Sequence, residues 1–190
     1  MDAQYHWLFV VPWVVFLGYW WYASRRTASS ERQESLKERM SYQALIWLGG
    51  VLLAVERLGI GPLGWRVLPD DPETFFLGLG MLVAGLAFAI WARVHLGRNW
   101  SGTVTIKVDH ELIRSGPYCL VRHPIYTGIL FGLLGTAIAL GEVRGFVGLV
   151  FFVLAFEIKL RREEAWLTQR FGEAYHAYQQ QVKALVPFVW

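Results

Sequence analysis

The chain has 190 residues, 55% apolar and 17% charged, against about 45–50% and about 25% in an average soluble domain. Mean hydropathy is positive at +0.35, and the ten tryptophans are of a residue type that gathers at membrane–water interfaces. A net charge of +3 is too small and scattered for a nucleic-acid partner, and the single cysteine, Cys119, excludes an internal disulfide framework or a cysteine-built zinc cage. The composition describes a small multi-span membrane protein.

The 22 residues between Asp2 and Arg25 carry no Asp, Glu, Lys or Arg, enough for the about 20 a helix needs to cross hydrocarbon. The start, Met1-Asp2-Ala3, lacks the basic residues of a signal peptide, so this run reads as a retained first span. The first loop, Ser24 to Met40, reads as a helical or irregular connector. Its charges form a solvated face, with anionic lipid as the functional counterpart. A second uncharged run covers Ser41 to Val55 and resumes after Glu56-Arg57 as far as Trp65. The third and fourth runs, Thr74–Ala92 and His123–Gly141, are each 19 residues long.

The last run, Gly145 to Phe156, has only 12 uncharged residues before Glu157. At about 1.5 Å per residue that is roughly 18 Å, short of the ~30 Å hydrocarbon core. Either this helix crosses with Glu157 and Lys159 inside the bundle, or the last two helices make a short hairpin. Both outcomes place charge at membrane depth, where it is costly and usually faces the protein interior.

Basic residues alternate between loops. The first loop has five (Arg25, Arg26, Arg32, Lys37, Arg39), Gly61–Glu73 has one, Arg98–Arg122 has four and Gly141–Arg144 has one. The tail after the last span has Arg161, Arg162, Arg170 and Lys183. This predicts an all-α integral membrane fold of about five transmembrane helices, with the N-terminus outside and both long polar segments on the cytosolic side. The expected organisation is a single membrane domain, with residues 1–94 as a three-span scaffold and residues 95–190 carrying the chemistry.

The first polar segment holds His110-Glu111-Leu112-Ile113, then Gly116-Pro117-Tyr118, then Arg122-His123-Pro124-Ile125-Tyr126. Pro124 biases His123 toward extended backbone and suits the first turn of a helix, which puts His123 and Tyr126 at a loop-to-helix junction. Composition alone makes this an interfacial anchor. In the second segment Glu157, Arg161 and Glu164 share one helix face, and Lys159 and Glu163 another. Glu164, Leu167, Phe171, Tyr175, Tyr178 and Val182 then step by three or four, predicting an amphipathic helix. Helix-stabilising pairs and a surface helix are the bland account of this segment.

Together the segments resemble the isoprenylcysteine carboxyl methyltransferase family. Arg122-His123-Pro124-x-Tyr126-x-Gly128 carries the resemblance, preceded by His110-x-Leu112-Ile113-x-x-Gly116-x-Tyr118. Glu163-Glu164-x-x-Leu167-x-x-x-Phe171-Gly172-x-x-Tyr175-x-x-Tyr178 continues it to Pro187, and Leu96-Gly97-x-Asn99-Trp100-Ser101 is similar to prokaryotic members. The likeness spans roughly residues 95–188. It implies an S-adenosylmethionine site, releasing S-adenosylhomocysteine, built from a cytosolic loop, a helical hairpin and the C-terminal helix. His110, Leu112, Ile113 and Tyr118 would line the cofactor, His123, Pro124, Ile125 and Tyr126 would form a second wall, and Glu163 would hold its ammonium or hydroxyl groups. The family usually has Arg four residues before that Glu, meeting the substrate; here it is Lys159.

The implied acceptor is a lipophilic, prenylcysteine-like carboxylate arriving from the lipid, held by Lys159 or Arg122, with Arg161 and Arg162 in reserve. Glu164 is the alternative cofactor ligand to Glu163. A phospholipid amine N-methyltransferase would use the same cofactor. NADPH-dependent sterol reductases carry a similar Arg-His-Pro-x-Tyr stretch, but theirs continues with an acidic residue where Ile129 follows Gly128. A non-enzymatic membrane scaffold is the remaining reading. The five histidines show no short metal-ligand spacing, so no metal is expected, and Cys119 reads as a free thiol. Oligomeric state is left open.

Overall fold

The uncharged runs fold as helices that begin where a polar residue can cap them. The computed structural model describes residues 7–25, 27–55, 60–108 and 111–189, so Glu56-Arg57 and His110 lie outside the described residues. Helix α1 (Trp7–Ser24) is apolar all round and buries only Phe16 and Ala23, as expected of a helix whose surroundings are lipid. It leans on α3 (Pro72–Leu96), where Phe16 packs with Leu82, Leu86 and Ala89.

Helix α2 spans Leu36–Ala54 and starts before the uncharged run does. The Ser35 hydroxyl accepts the Glu38 N–H at 3.3 Å, and the Glu38 carboxylate accepts the Ser35 N–H at 2.8 Å. This reciprocal cap fixes the start through charged residues that hydropathy passes over. Asp71 caps α3 with its side chain alone, accepting the Thr74 N–H at 2.8 Å, with Pro72 in the first turn.

Helix α4 (Pro124–Leu140) lies tightly against α3. A Cβ built on Gly85 would sit 2.5 Å from the Gly128 oxygen, and one on Gly78 would sit 2.4 Å from the Gly135 oxygen. Small residues facing each other let backbones approach where lipid removes the hydrophobic drive to associate. Gly49 of α2 meets Gly148 of α5 (Val143–Phe171) by the same means.

The last two apolar runs do form a hairpin, turning at Gly141. Its second arm does not stop at the charges: α5 is one helix of 29 residues, about 44 Å long, whose charged half projects beyond the apolar stretch. The predicted amphipathic helix 164–182 is two pieces, because Gly172 at φ +52 breaks the run between Phe171 and α6 (Glu173–Gln181). That backbone conformation suits glycine alone among ordinary residues.

Among the described residues the charged side chains of the first loop are exposed, as expected of a solvated face, except Glu34; the connector itself, however, is partly a strand. Its residues Ser30–Gln33 form strand β1, which pairs antiparallel with β2 (Thr105–Lys107), placing Arg32 opposite Ile106 and Gln33 opposite Thr105. The β-branched run Thr103-Val104-Thr105-Ile106 favours extended backbone, and a partner so distant in sequence leaves no local signature. At the opposite end Arg144 is buried, bonded to Glu142 at 2.6 Å and to the Leu52 and Val55 carbonyls at 3.0 and 3.2 Å.

Candidate active site

At the polar end, the loop before α4 is held by the chain that follows α6. The Arg122 N–H donates to the Lys183 carbonyl at 2.8 Å and the His123 N–H to the Ala184 carbonyl at 3.0 Å. The Thr127 hydroxyl reaches the Leu185 carbonyl at 2.8 Å. Tyr178 of α6 donates to the Tyr118 carbonyl at 2.5 Å. With Pro124 opening the helix, these ties set His123 and Tyr126 side by side. Their rings lie 5.6 Å apart and within 6° of parallel, and Tyr126 stacks in turn on Phe156 at 4.8 Å.

Two adjacent glutamates of α5 meet this pair. Glu164 accepts from Arg122 Nε at 2.7 Å, from a second guanidinium nitrogen at 2.6 Å and from Gln179 at 3.1 Å. His123 Nε2 lies 3.1 Å from the same carboxylate. Glu163 accepts the Tyr126 hydroxyl at 2.6 Å and faces His123 Nδ1 at 3.6 Å. Both ring nitrogens of His123 therefore face carboxylate oxygens, which accept and do not donate when ionised. Burial opposes a charged imidazole, but the bonds to Glu163 and Glu164 outweigh it and raise the His123 pKa. Burial likewise opposes ionisation of Glu164, yet the His123 bond and charge, with Arg122, bring its carboxyl down to about 2.

A cavity of about 210 Å³ opens between the loop 101–106, the loop 111–123 and the facing side of α5. Trp20, Trp100, Ile129 and Phe156 give it an apolar, aromatic lining, shared with Ile113, Tyr118, His123 and Tyr126. Glu163 and Lys159 supply opposite charges one helical turn apart. The Lys159 ammonium donates to the Gly102 carbonyl at 2.8 Å and sits 5.4 and 5.7 Å from the ring centres of Tyr126 and Tyr42. Among the described residues it has no second acceptor, so donors remain for a ligand. Tyr175 also lines the cavity, 1% exposed, with its hydroxyl lacking a hydrogen-bond partner among the described residues. Such a group costs free energy until something fills its place.

Aromatic faces, a carboxylate and an orphaned hydroxyl fit a molecule that joins a flat base, hydroxyls and an ammonium, which is the chemistry of S-adenosylmethionine. The volume is below the roughly 300–1,000 Å³ of pockets that enclose a whole drug-sized ligand, so a bound cofactor would extend to the mouth.

Most residues singled out from the sequence come together here. Leu112, Ile113, Tyr118, His123, Ile125, Tyr126 and Glu163 line the cavity, as do Arg122 and Lys159. Pro124 stands behind it, starting α4. Arg122 is committed to Glu164 and to the Gln179 and Val182 carbonyls. The reserve cations point elsewhere: Arg161 is exposed and pairs with Glu157 at 2.5 Å, and Arg162 turns to the start of α2, bonding the Ser41 hydroxyl at 2.9 Å. Sequence reasoning missed the roles of Trp20, Trp100 and Tyr175. Trp100 and Tyr175 stood inside the quoted motifs, whereas nothing local separates Trp20 from the other tryptophans of α1.

Residues 74–174 match the family model for phospholipid methyltransferases. The chain is 35% identical over 117 residues to the protein-S-isoprenylcysteine O-methyltransferase of Schizosaccharomyces pombe, covering 58% of this chain and 48% of that one. It is 32% identical over 115 residues to protein-S-isoprenylcysteine O-methyltransferase B of Arabidopsis thaliana, covering 59% and 58%. The chain thus spans about half the length of the fission-yeast relative. Among solved structures, a eukaryotic intramembrane Ras methyltransferase, isoprenylcysteine carboxyl methyltransferase, superposes with a TM-score of 0.55 at 25% identity, over 78% of this chain and 53% of that one. With the ordered motifs folded around one cavity, the chain belongs to the methyltransferase family that the phospholipid methyltransferase description covers and that includes the isoprenylcysteine carboxyl methyltransferases.

Proposed function

We propose that the chain is an S-adenosylmethionine-dependent carboxyl O-methyltransferase acting on a lipophilic, prenylcysteine-like acceptor at the cytosolic face of a membrane. The observation that carries this reading is the placement of Glu163 and Lys159 in one aromatic cavity, with His123 and Tyr126 locking the glutamate in position. Leu112, Ile113, Tyr118, Ile125 and Tyr126 would hold the cofactor's flat and apolar parts, Glu163 its ammonium or hydroxyls, and Tyr175 a further polar atom; Pro124 fixes the wall, and the family resemblance adds His110. Bound there, S-adenosylmethionine supplies a methyl group on a positively charged sulfur, which a carboxylate oxygen can take to give a methyl ester and S-adenosylhomocysteine.

The acceptor needs no general base. An α-carboxyl group has a pKa of about 3.3–3.7 and is already ionised at neutral pH. What remains for the protein is to orient the oxygen and exclude water, and orientation supplies much of the acceleration of such a reaction. Lys159 serves as the acceptor clamp: a point cation with unspent donors fixes one carboxylate oxygen and leaves the other free. Arg122, already paired with Glu164, instead anchors the loop. A cation at this place also disfavours a positively charged amine headgroup, which separates the carboxylate reading from phospholipid N-methylation. The apolar lining of Trp20, Ile129 and Phe156 supports an acceptor that enters from the lipid.

Two helices, α1 and the stretch Pro72–Asn99, are long and apolar enough to cross a membrane, and α4 is a shorter apolar helix. We assign five spans in all, with the N-terminus outside, residues 1–94 as scaffold and 95–190 as the site-bearing part. The loop charges support this, as does the meeting of the first loop, the 101–123 loop and the tail at one end. The test is methyl transfer from labelled cofactor by the protein in lipid bilayers. Acceptors would be S-farnesylated cysteine blocked at its nitrogen, a short isoprenoid acid and phosphatidylethanolamine. Base-labile label on the farnesylated cysteine is expected; label on phosphatidylethanolamine alone would overturn the assignment.

A further inference from the structure

The first polar loop contributes a buried carboxylate to the region behind Lys159. The side chain of Glu34 is 1% exposed, unlike its charged neighbours in the loop. Its Oε1 accepts both the Tyr42 hydroxyl and the Val104 N–H, the latter at 3.1 Å, while among the described residues its Oε2 has only an ion pair with Arg162 at 3.8 Å. Both partners of Oε1 bear on Lys159. Val104 is two residues from Gly102, whose carbonyl takes the Lys159 ammonium, and Tyr42 supplies one of the two rings beside that ammonium. A phenol that donates to a carboxylate gains electron density in its ring, and an electron-rich face attracts a cation more strongly. A buried carboxylate is a poor choice for packing alone, since apolar side chains of similar volume fill such a space at least as well.

We infer that Glu34 and Tyr42 are positioning residues for the reaction, holding the Lys159 ammonium and the Gly102–Val104 backbone so that the remaining ammonium donors meet the acceptor carboxylate. This rests on the reading of Lys159 as the acceptor clamp. In this reading the Tyr42 ring and the Gly102 carbonyl act on the acceptor by holding Lys159, so the effect of Glu34 on the acceptor vanishes when Lys159 is absent. That property separates a positioning role from a structural one.

The test uses the full chain in lipid bilayers, with nitrogen-blocked S-farnesylcysteine as acceptor and S-adenosylhomocysteine binding as the cofactor readout. Glu34→Gln and Tyr42→Phe are each expected to lower kcat/KM for the acceptor by about 10-fold, with S-adenosylhomocysteine affinity kept within about twofold. In a Lys159→Ala background neither substitution should lower it further. Full additive losses in that background, or wild-type acceptor kinetics in folded Tyr42→Phe, would overturn the inference and leave the clamp reading standing. Wild-type acceptor kinetics in Lys159→Ala would overturn both. Should Glu34→Gln fail to fold, Tyr42→Phe, which deletes a single oxygen, decides the matter.

Discussion

Helix α5 carries two buried cations, Arg144 and Lys159, about 22 Å apart along its axis, and their surroundings differ. Arg144 is closed off: Glu142 neutralises it and the Leu52 and Val55 carbonyls take further donors, stapling α5 to the end of α2. Lys159 has one carbonyl, two aromatic faces and open space. A satisfied buried charge contributes a unique packing arrangement; an incompletely satisfied one carries a standing cost that a ligand can relieve. The contrast supports the proposal that the Lys159 end carries the chemistry while the Arg144 end holds the bundle together.

Substitutions at the two ends test that division. Arg144→Ala leaves two carbonyls and the partly exposed Glu142 without their partner and should destabilise the fold by about 1–3 kcal/mol, read as a lowered Tm, with turnover per folded molecule unchanged. Lys159→Ala should do the reverse. Thermal stability stays near wild type while kcat/KM for the acceptor falls on the order of 100-fold, and Lys159→Arg keeps substantial activity. If Lys159→Ala unfolds the protein as readily as Arg144→Ala, the two ends are alike and the contrast collapses.

The cofactor side grades more finely. Glu163→Ala removes a charge-assisted bond worth about 1.5–3 kcal/mol and should weaken S-adenosylhomocysteine binding by about 10- to 150-fold in calorimetry. Unchanged binding by a folded Glu163→Ala protein would transfer the ligand role to Glu164. Tyr175→Phe deletes a hydroxyl with no internal partner, so the ligand-free protein should be at least as stable as wild type. Its cofactor affinity should still drop by about 2- to 12-fold, the equivalent of a neutral hydrogen bond of about 0.5–1.5 kcal/mol. Equal affinity would mean that the cavity accommodates the cofactor without touching Tyr175.

The smallest effect is on pH dependence. The folded pKa of His123 is raised, so its contribution to stability is complete below the unfolded value of about 6.5 and is lost as pH rises through the folded value. For Glu164, lowered to about 2, stability is present above the unfolded value of about 4.3 and is lost on acidification toward the folded one. Melting curves across pH should therefore sag on the alkaline side in wild type and flatten there in His123→Gln. A wild-type alkaline limb in that variant would detach His123 from the linkage.

Much of the site was legible because its residues are local to two motifs. Arg122 through Tyr126 and Lys159 through Glu164 are runs of only five and six residues, and helical spacing puts Lys159 and Glu163 on one face without any knowledge of the fold. The helices were readable from uncharged runs for the same reason. What escaped depends on distant partners. Glu34 looks like any loop glutamate until Tyr42 and Val104 close around it, and β1 has no meaning without β2. The break at Gly172 was hidden by an unbroken three-and-four rhythm on either side, since periodicity registers faces and not the sign of φ.

The strapping of the His123 loop by residues 183–185 sets an order of events during synthesis. Thr127 and its carbonyl partner Leu185 are 58 residues apart, which at about 5–20 residues per second is roughly 3 to 12 s of ribosome time. During that interval α1 to α3 are already made and α4 is completed, while the segment bearing His123 and Tyr126 has nothing to close against. The proposed methyl-donor site is thus completed only once residues 183–185 have been made.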